Sequence, residues 1–190
     1  MNTAMTKEEL ERILDQALQD VTERTAGVRL RQGDRSLGED LCTVHITFDK
    51  GFSTSLTLCA DTGLLVRMAG NSFHEDTVTP EDLEEFSKEY FNVLCGKVAG
   101  AMFQATQVPA HFGPPAFYHG HYEPEGREAQ FVLTYCDEHS EGAQLIHHVA
   151  CPREDGKTGG RIPSEKASDG SGRFPAGAGS AGGRAGGDGL

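Results

Sequence analysis

Residues 79–100, TPEDLEEFSKEYFNVLCGKVAG, carry the signals that define the longest helix of this chain. Thr79 can cap the first turn, Pro80 suits the first helical position, and the two acidic residues that follow favour the positive end of the helix dipole. The pattern predicts a helix that runs to about Thr106. At about 100° per residue, one side of it should face the core. That side carries Leu83, Phe86, Tyr90, Leu94, Lys97 and Ala101.

A second stripe on the same helix carries polar side chains in its first half and only glycine and alanine in its second half. It consists of Glu85 and the residues within about 60° of it on the helical wheel, which are Glu89, Asn92, Gly96, Ala99 and Gly100. Each glycine costs roughly 1 kcal/mol relative to alanine inside a helix, so the pair needs a reason. One explanation is that a neighbouring helix of the same protein packs there and the polar side chains are merely solvated. The other is that the stripe acts on a second molecule that approaches closely.

The rest of the chain alternates as amphipathic helices and strands do. A first helix is predicted over residues 6–23, with an S/T-x-x-E capping pattern, and a short one over residues 61–69, ending at Gly70-Asn71. The turn DKGF predicts an antiparallel hairpin. Strands are predicted over residues 28–35, 40–49, 52–59, 116–122, 129–136 and 144–150. The fold class is therefore α+β, with helices packed on a mostly antiparallel sheet of about six strands.

Length and charge limit the classes of function. The 190 residues fit one ordinary domain, which we assign to residues 1–151, and a Gly-rich tail, residues 152–190, that has too little apolar surface to fold and is predicted to be disordered. A net charge of -12 makes nucleic acid and anionic lipid poor partners. The sequence has no apolar run of about 18 residues and no apolar core near MNTAMTKEEL, which predicts a cytoplasmic protein outside the membrane.

Cysteines and histidines give weaker signals. The five cysteines are scattered and lack C-x-x-C spacing, which argues against a disulfide framework and a zinc site. A histidine metal site stays open as an alternative, although we favour surface or edge-strand histidines, because two of the four are adjacent and would point to opposite faces of a strand. These residues are His119, His121, His147 and His148. No G-x-S-x-G elbow or Walker spacing supports a nucleophilic hydrolase or a nucleotide site.

The spacing Glu89-x-x-Asn92-x-x-x-Gly96 occurs on a capped helix that follows a short helix ending in MAGNSF. This arrangement resembles the active-site helix of the CheX family of chemotaxis phosphatases, relatives of CheC and FliY. The likeness covers residues 48–106 and includes GFSTSLTLCA, DTGLLVRMAG and HEDTVTPEDLEEF. The first helix and last three strands match only as elements in the right order. Departures are Lys97 after the glycine and the Gly-rich tail. A single Glu-x-x-Asn helix looks more like CheX than like CheC.

The resemblance implies an aspartyl-phosphate phosphatase that acts on a phosphorylated CheY-like response regulator in chemotaxis or two-component signalling. By this likeness Asn92 would orient the attacking water and Glu89 would pair with the regulator's active-site lysine. Magnesium would come with the regulator, so the chain would need no metal of its own, and a homodimer joined by sheet edges is implied. Residues implied to contact the regulator are Glu85, Gly96, Ala99 and Gly100. The alternative is a noncatalytic module that uses this face to bind a regulator or flagellar-switch component.

Overall fold

The computed structural model describes residues 5–151, which form three helices and one seven-stranded sheet. The helices are α1 (Lys7–Ala26), α2 (Thr62–Phe73) and α3 (Pro80–Thr106). The strands are β1 (Arg31–Gln32), β2 (Leu41–Lys50), β3 (Thr54–Asp61), β4 (His111–Phe112), β5 (Ala116–His119), β6 (Arg127–Cys136) and β7 (Gly142–Ala150). The α+β class is confirmed. The predicted disordered tail lies outside the described residues, and the division into domain and tail stays a prediction.

Every strand pairing in the sheet is antiparallel, and the strand order is β1-β6-β7-β3-β2-β4, with β5 also paired to β2. The predicted hairpin is present as β2 and β3, in register from Leu41 opposite Asp61 to Thr47 opposite Ser55. The sequence did not predict β4, because a strand of two residues shows no alternation. The strand predicted over residues 28–35 shortens to β1 for a related reason, since only two of its residues find a partner on β6.

One face of the sheet is covered by the helices. Because side chains alternate along a strand, β2 turns Val44 and Ile46 to this face and β3 turns Leu56 and Leu58. They join a core to which the helices contribute Leu14, Leu18, Phe86, Tyr90, Phe91 and Leu94, all buried. Burying a large apolar side chain is worth about 1.5–3 kcal/mol, so this layer fixes α3 firmly against the sheet.

Contacts between α1 and α3 fix the helix layer further. The Thr22 hydroxyl donates to the Leu18 carbonyl and therefore accepts from the buried Tyr90 hydroxyl, with 2.6 Å between the two hydroxyl oxygens. The prediction that Lys97 lies on the core side is wrong. Its side chain is exposed at the margin of the layer, and its ammonium pairs with Asp20 of α1. A lysine at the edge of an apolar sector can cover it with its stem and keep its charge in water.

The α2 helix is longer than predicted and ends at Phe73, with His74 in the left-handed conformation at a φ of 59°. The sequence prediction ended the helix at Gly70-Asn71 because glycine commonly follows a helix. Gly70 has a different role, since a Cβ there would lie 2.9 Å from the Glu75 carbonyl oxygen. Glycine thus allows the chain after α2 to fold back closely. The extra turn places Phe73 against Phe86 of α3, with ring centroids 5.9 Å apart.

No helix among residues 5–151 is both long enough and apolar enough to cross a membrane. The five cysteines are free thiols, of which Cys42, Cys59 and Cys95 are buried. Burial raises the pKa of each of these three thiols and keeps it protonated at neutral pH.

Candidate functional site

The α3 stripe, as we call the six predicted site residues, lies on the side of α3 that faces water. Glu85, Glu89, Gly96 and Gly100 are exposed, and Asn92 and Ala99 are partly exposed. The helix that carries them starts at a complete capping box, in which Thr79 and Asp82 exchange hydrogen bonds. These bonds hold the pKa of the Asp82 carboxyl below its usual value. The first turn of α3 is therefore well defined. Because the helix starts at a fixed residue, the direction in which the stripe faces is fixed too.

Glu89 and Asn92 project from the most firmly packed part of α3. Between them on the opposite side lie Tyr90 and Phe91, which are almost completely buried. Three residues of helix place the two side chains about 4.5 Å apart along the axis, on one face. A carboxylate and a carboxamide are thus held one helical turn apart on a backbone that the core immobilises.

The polar groups of the α3 stripe have free hydrogen-bonding capacity. Within residues 5–151, no side-chain hydrogen bond or ion pair engages Glu85, Glu89 or Asn92. Their neighbour Glu84 differs, because it pairs with Lys88 at 2.5 Å on another side of the helix. An amide has two donors and two acceptor lone pairs, so Asn92 can bind water and a second group together.

The two glycines of the stripe face open space. A Cβ built at Gly96 or Gly100 would meet no described atom within 4 Å other than those of its own chain neighbours and the helix backbone within four residues. The explanation that these glycines admit a neighbouring helix of the same domain is therefore wrong for the part of the chain described. Each glycine therefore costs roughly 1 kcal/mol in helix propensity without allowing any closer packing within the described residues.

A groove of about 450 Å³ adjoins the start of the α3 stripe. We call it the α2–α3 groove. Its lining contains four carboxylates and no basic side chain: Glu75, Asp82, Glu85 and Glu89, together with Thr25, Ser72, Phe73, Phe86, Tyr90 and Val93. Two of the apolar residues are unusually open for their type, Phe73 at 42% and Val93 at 45% exposure.

Sequence reasoning missed Phe73 and Val93. Val93 lies about 80° from Glu85 on the helical wheel, just outside the 60° that define the stripe. The sequence does not place Phe73 at this groove, because the predicted short helix ends four residues before it. An apolar residue next to a polar functional stripe is a signal that could have found Val93, whereas the position of Phe73 depends on the fold.

The histidines do not form a metal site in the described part of the chain. No group of three or more His, Cys, Asp or Glu side chains there is placed to hold an ion. His119 and His121 are exposed and approach different cysteines, because β5 ends at His119 and Gly120 turns the chain at a φ of 86°. His147 and His148 point to opposite faces of β7, as the alternation predicted.

The interpretation of His147 and His148 as surface or edge-strand residues is wrong. Each is only 5% exposed, because β7 is an inner strand between β6 and β3. His147 stacks on Phe131 and hydrogen-bonds to the Thr54 hydroxyl at 2.5 Å. His148 bonds to the Thr57 hydroxyl on the other face, at 2.9 Å.

Comparison with known proteins identifies the fold but not a family by sequence. No protein-family model matches this chain, and no curated protein matches it. Solved structures do match, with probability 1.00. They are CheX and FliY proteins, so the chain has the α+β fold of the CheX, CheC and FliY proteins.

Three of these structures show how far the likeness extends. The chemotaxis protein CheX from Vibrio vulnificus aligns with a TM-score of 0.59 and 14% identity over 76% of this chain and 99% of that one. The CheX of a CheX–CheY–BeF3–Mg complex from Borrelia burgdorferi aligns at 0.55 and 14% identity, over 74% and 96%. FliY from Thermotoga maritima aligns at 0.54 and 13% identity, over 78% and 92%.

Proposed function

We propose that this chain is an aspartyl-phosphate phosphatase of the CheX type. Its substrate is a phosphorylated CheY-like response regulator in chemotaxis or two-component signalling, and it acts in the cytoplasm. The observation that carries the proposal is the α3 stripe: a carboxylate and an amide without partners in the described domain, beside glycines with nothing packed on them. The shared fold supports it, as does the existence of a CheX–CheY complex among the structures with that fold.

Asn92 is the residue to which we assign the orientation of water. Hydrolysis of an aspartyl phosphate needs a water in line with phosphorus, and little covalent work beyond that. An amide can accept from the water and donate to a phosphoryl oxygen, and it carries no charge that would repel that oxygen. Holding a reactant in a near-attack position contributes several kcal/mol to a rate.

We assign to Glu89 the role of pairing with the lysine of the regulator's active site. A carboxylate one helical turn from Asn92 can form a charge-assisted hydrogen bond with an ammonium group and so fix the depth at which the helix enters. Magnesium in this scheme belongs to the regulator, where it offsets the charge of the phosphoryl group. Gly96, Ala99 and Gly100 allow the regulator's loops to approach the helix backbone, and Glu85 contacts the same partner.

A homodimer joined by sheet edges is part of the proposal. The outer edge of β6 is paired with β1 at Tyr135 and Cys136, and the Thr134 carbonyl accepts from the Gly33 N–H. Residues 127–133 of the strand have no backbone partner on that side among residues 5–151. Unpaired backbone donors and acceptors on an edge strand favour pairing with a second chain. Sedimentation velocity should give the mass of a dimer, and a monomer across the micromolar range would contradict this part.

The test is the decay of phosphate on a panel of CheY-like response regulators, each phosphorylated with a small-molecule donor. Decay should accelerate with the wild-type protein and return to the rate of buffer with Glu89→Ala or Asn92→Ala. Glu84→Ala and Gln104→Ala are matched controls, because both residues lie on α3 outside the stripe, and they should keep the activity. Circular dichroism and thermal unfolding establish that each variant is folded.

The second candidate is a noncatalytic module that docks a regulator or a flagellar-switch component. The observation in its favour is that the same fold occurs in FliY. A titration of regulator binding separates the two. Activity lost in Asn92→Ala while binding survives supports the phosphatase, whereas binding by wild type with unchanged phosphate decay supports the docking module.

A further inference from the structure

We propose that the α2–α3 groove binds an apolar side chain of the response regulator that is flanked by lysine or arginine. The inference rests on the proposed function and adds to it a docking site beside the catalytic stripe. It assigns Val93 and Phe73 the role of specificity residues, which touch the partner but not the reacting phosphate.

The first argument is position. Val93 follows Glu89 by four residues, so its side chain lies one helical turn further on, about 6 Å along the axis. Phe73 reaches the same groove from the end of α2 and is held by its edge-to-face contact with Phe86. A regulator that presents its active site to Glu89 and Asn92 therefore brings its adjoining surface over this groove.

The second argument is charge. The four carboxylates of the lining have no basic residue among them, and the described domain offers no ion pair to Glu75, Glu85 or Glu89. A cationic partner gains attraction from all of them. A second copy of this chain would bring an identical acidic groove and a net charge of -12, so self-association through this surface is disfavoured. The complementary occupant is an apolar residue with basic neighbours.

The third argument is exposure. Val93 and Phe73 are 45% and 42% exposed. Other valines and phenylalanines of the described domain, such as Val98 and Phe91, are completely buried. A few side chains that fill well-packed, desolvated pockets near the centre of a protein interface carry most of its affinity, and an apolar groove of this kind can receive one. The packing of Phe73 on Phe86 limits its freedom, which reduces the entropy that binding would remove.

The experiment compares Val93→Ser with Val132→Ser, because a lysine at position 93 would pair with Glu89 one helical turn away. Both valines are 45% exposed, but Val132 lies on β6 and faces away from the helices, so the pair separates docking from a general loss of apolar surface. Because β6 is also the proposed dimer edge, both variants are compared at concentrations where sedimentation velocity gives them the mass of the wild-type protein. The readouts are the regulator concentration that gives half of the maximal rate of phosphate decay, the maximal rate itself, and the dissociation constant from a direct titration. The regulator is the one that the wild-type protein dephosphorylates fastest, or binds most tightly if none decays faster.

We expect Val93→Ser to raise the half-saturating concentration and the dissociation constant at least 10-fold while changing the maximal rate less than 2-fold. Val132→Ser should change each less than 2-fold. Glu75→Gln should weaken binding about 2- to 3-fold and make it less sensitive to salt between 50 and 300 mM, compared with the control Glu39→Gln, an exposed residue before β2.

The outcomes separate this inference from the proposed function. Equal half-saturating concentrations for Val93→Ser and wild type, with active phosphatase, overturn the proposed docking in the groove and leave the proposed function standing. Weakened binding in Val93→Ser without any acceleration of decay by wild type supports docking in the groove and removes the catalytic proposal. Absence of binding to every regulator by the wild-type protein overturns both.

Discussion

Two polar regions of this domain use their hydrogen bonds in opposite ways. The first is the α3 stripe, whose Glu89 and Asn92 face water without a partner in the described domain. The second, which we call the histidine cluster, consists of His45, Thr57 and His148 on the face of the sheet away from the helices. The cluster is buried, and its polar groups hydrogen-bond to one another. Thr57 Oγ1 lies 2.8 Å from His45 Nδ1 and 2.9 Å from His148 Nε2.

The difference shows how to distinguish function from structure in a chain with many polar residues. A hydroxyl has one proton, so Thr57 donates to one imidazole and accepts from the other, and the cluster is closed. Tyr122 lies over His45 with ring centroids 5.2 Å apart and helps to exclude water. Closed groups stabilise the fold, whereas open groups on a rigid helix are available to another molecule. The predictions below test this division.

The largest effect is expected from Asn92→Asp. We expect phosphate decay to slow about 100-fold, because the new carboxylate repels the phosphoryl oxygens and misplaces the water. The free energy of unfolding in urea should change by less than about 0.5 kcal/mol, since exposed positions away from packing contribute little. Decay within a factor of two of wild type would mean that Asn92 does not orient the water.

The reverse result is expected in the histidine cluster. Thr57→Val keeps the shape of the side chain but leaves two buried imidazole nitrogens without partners, at about 1–3 kcal/mol each. We expect the free energy of unfolding to fall by roughly 2–4 kcal/mol and the phosphate decay rate to stay unchanged at temperatures where the variant is folded. A loss of activity in the fully folded variant would place the cluster in the functional site and break the division.

Acid should destabilise the domain through its buried histidines. Burial, with charge from His148, lowers the pKa of His45 and of His147 to about 4, below the ordinary value near 6.5. The unfolded chain then binds more protons, so stability is complete above about pH 6.5 and declines as pH falls toward 4. Arg127 also lowers the pKa of His45, and Glu123 opposes the lowering at His148.

This loss is measured by urea unfolding at pH 7 and pH 5. We expect the free energy of unfolding to be lower at pH 5 than at pH 7 by roughly 1–2 kcal/mol for each of His45 and His147. The difference between the two pH values should be smaller in His147→Phe, which keeps the stacking on Phe131. Equal losses in His147→Phe and wild type would show that His147 is not a source of the acid sensitivity.

The sequence predicts the α3 helix well because its signals are local. Thr79, Pro80 and Asp82 define its start, and a helix of 27 residues repeats its apolar pattern often enough to show the water-facing side. The end of α2 was mispredicted because Gly70 serves a close approach to Glu75 and not a cap. That contact is tertiary, and nothing in the local pattern distinguishes the two uses of glycine.

The second face of the sheet could not be inferred from alternation. Thr57 and Cys59 alternate with Leu56 and Leu58 on β3, and alternation of this kind is typical of a strand with one face in water. Yet both faces of β3 are buried. The cover depends on where the chain goes after β5, which no periodic pattern records. The candidate site was easier to find, because α3 alone carries the stripe and no long-range contact is needed to assemble it.

The smallest effect, and the one that separates the two explanations of the glycines most directly, is expected from Gly96→Ala. A methyl group here meets no described atom within 4 Å beyond its chain neighbours and the adjacent helix backbone, so the helix should gain about 1 kcal/mol in propensity and the domain should be more stable in urea. If a regulator approaches the backbone at this point, the same methyl group should weaken its binding. Stability and binding would then change in opposite directions, which a purely structural role for Gly96 cannot produce. A variant that is more stable and binds the regulator as well as wild type would exclude close approach at Gly96, leaving Glu89 and Asn92 as the contact.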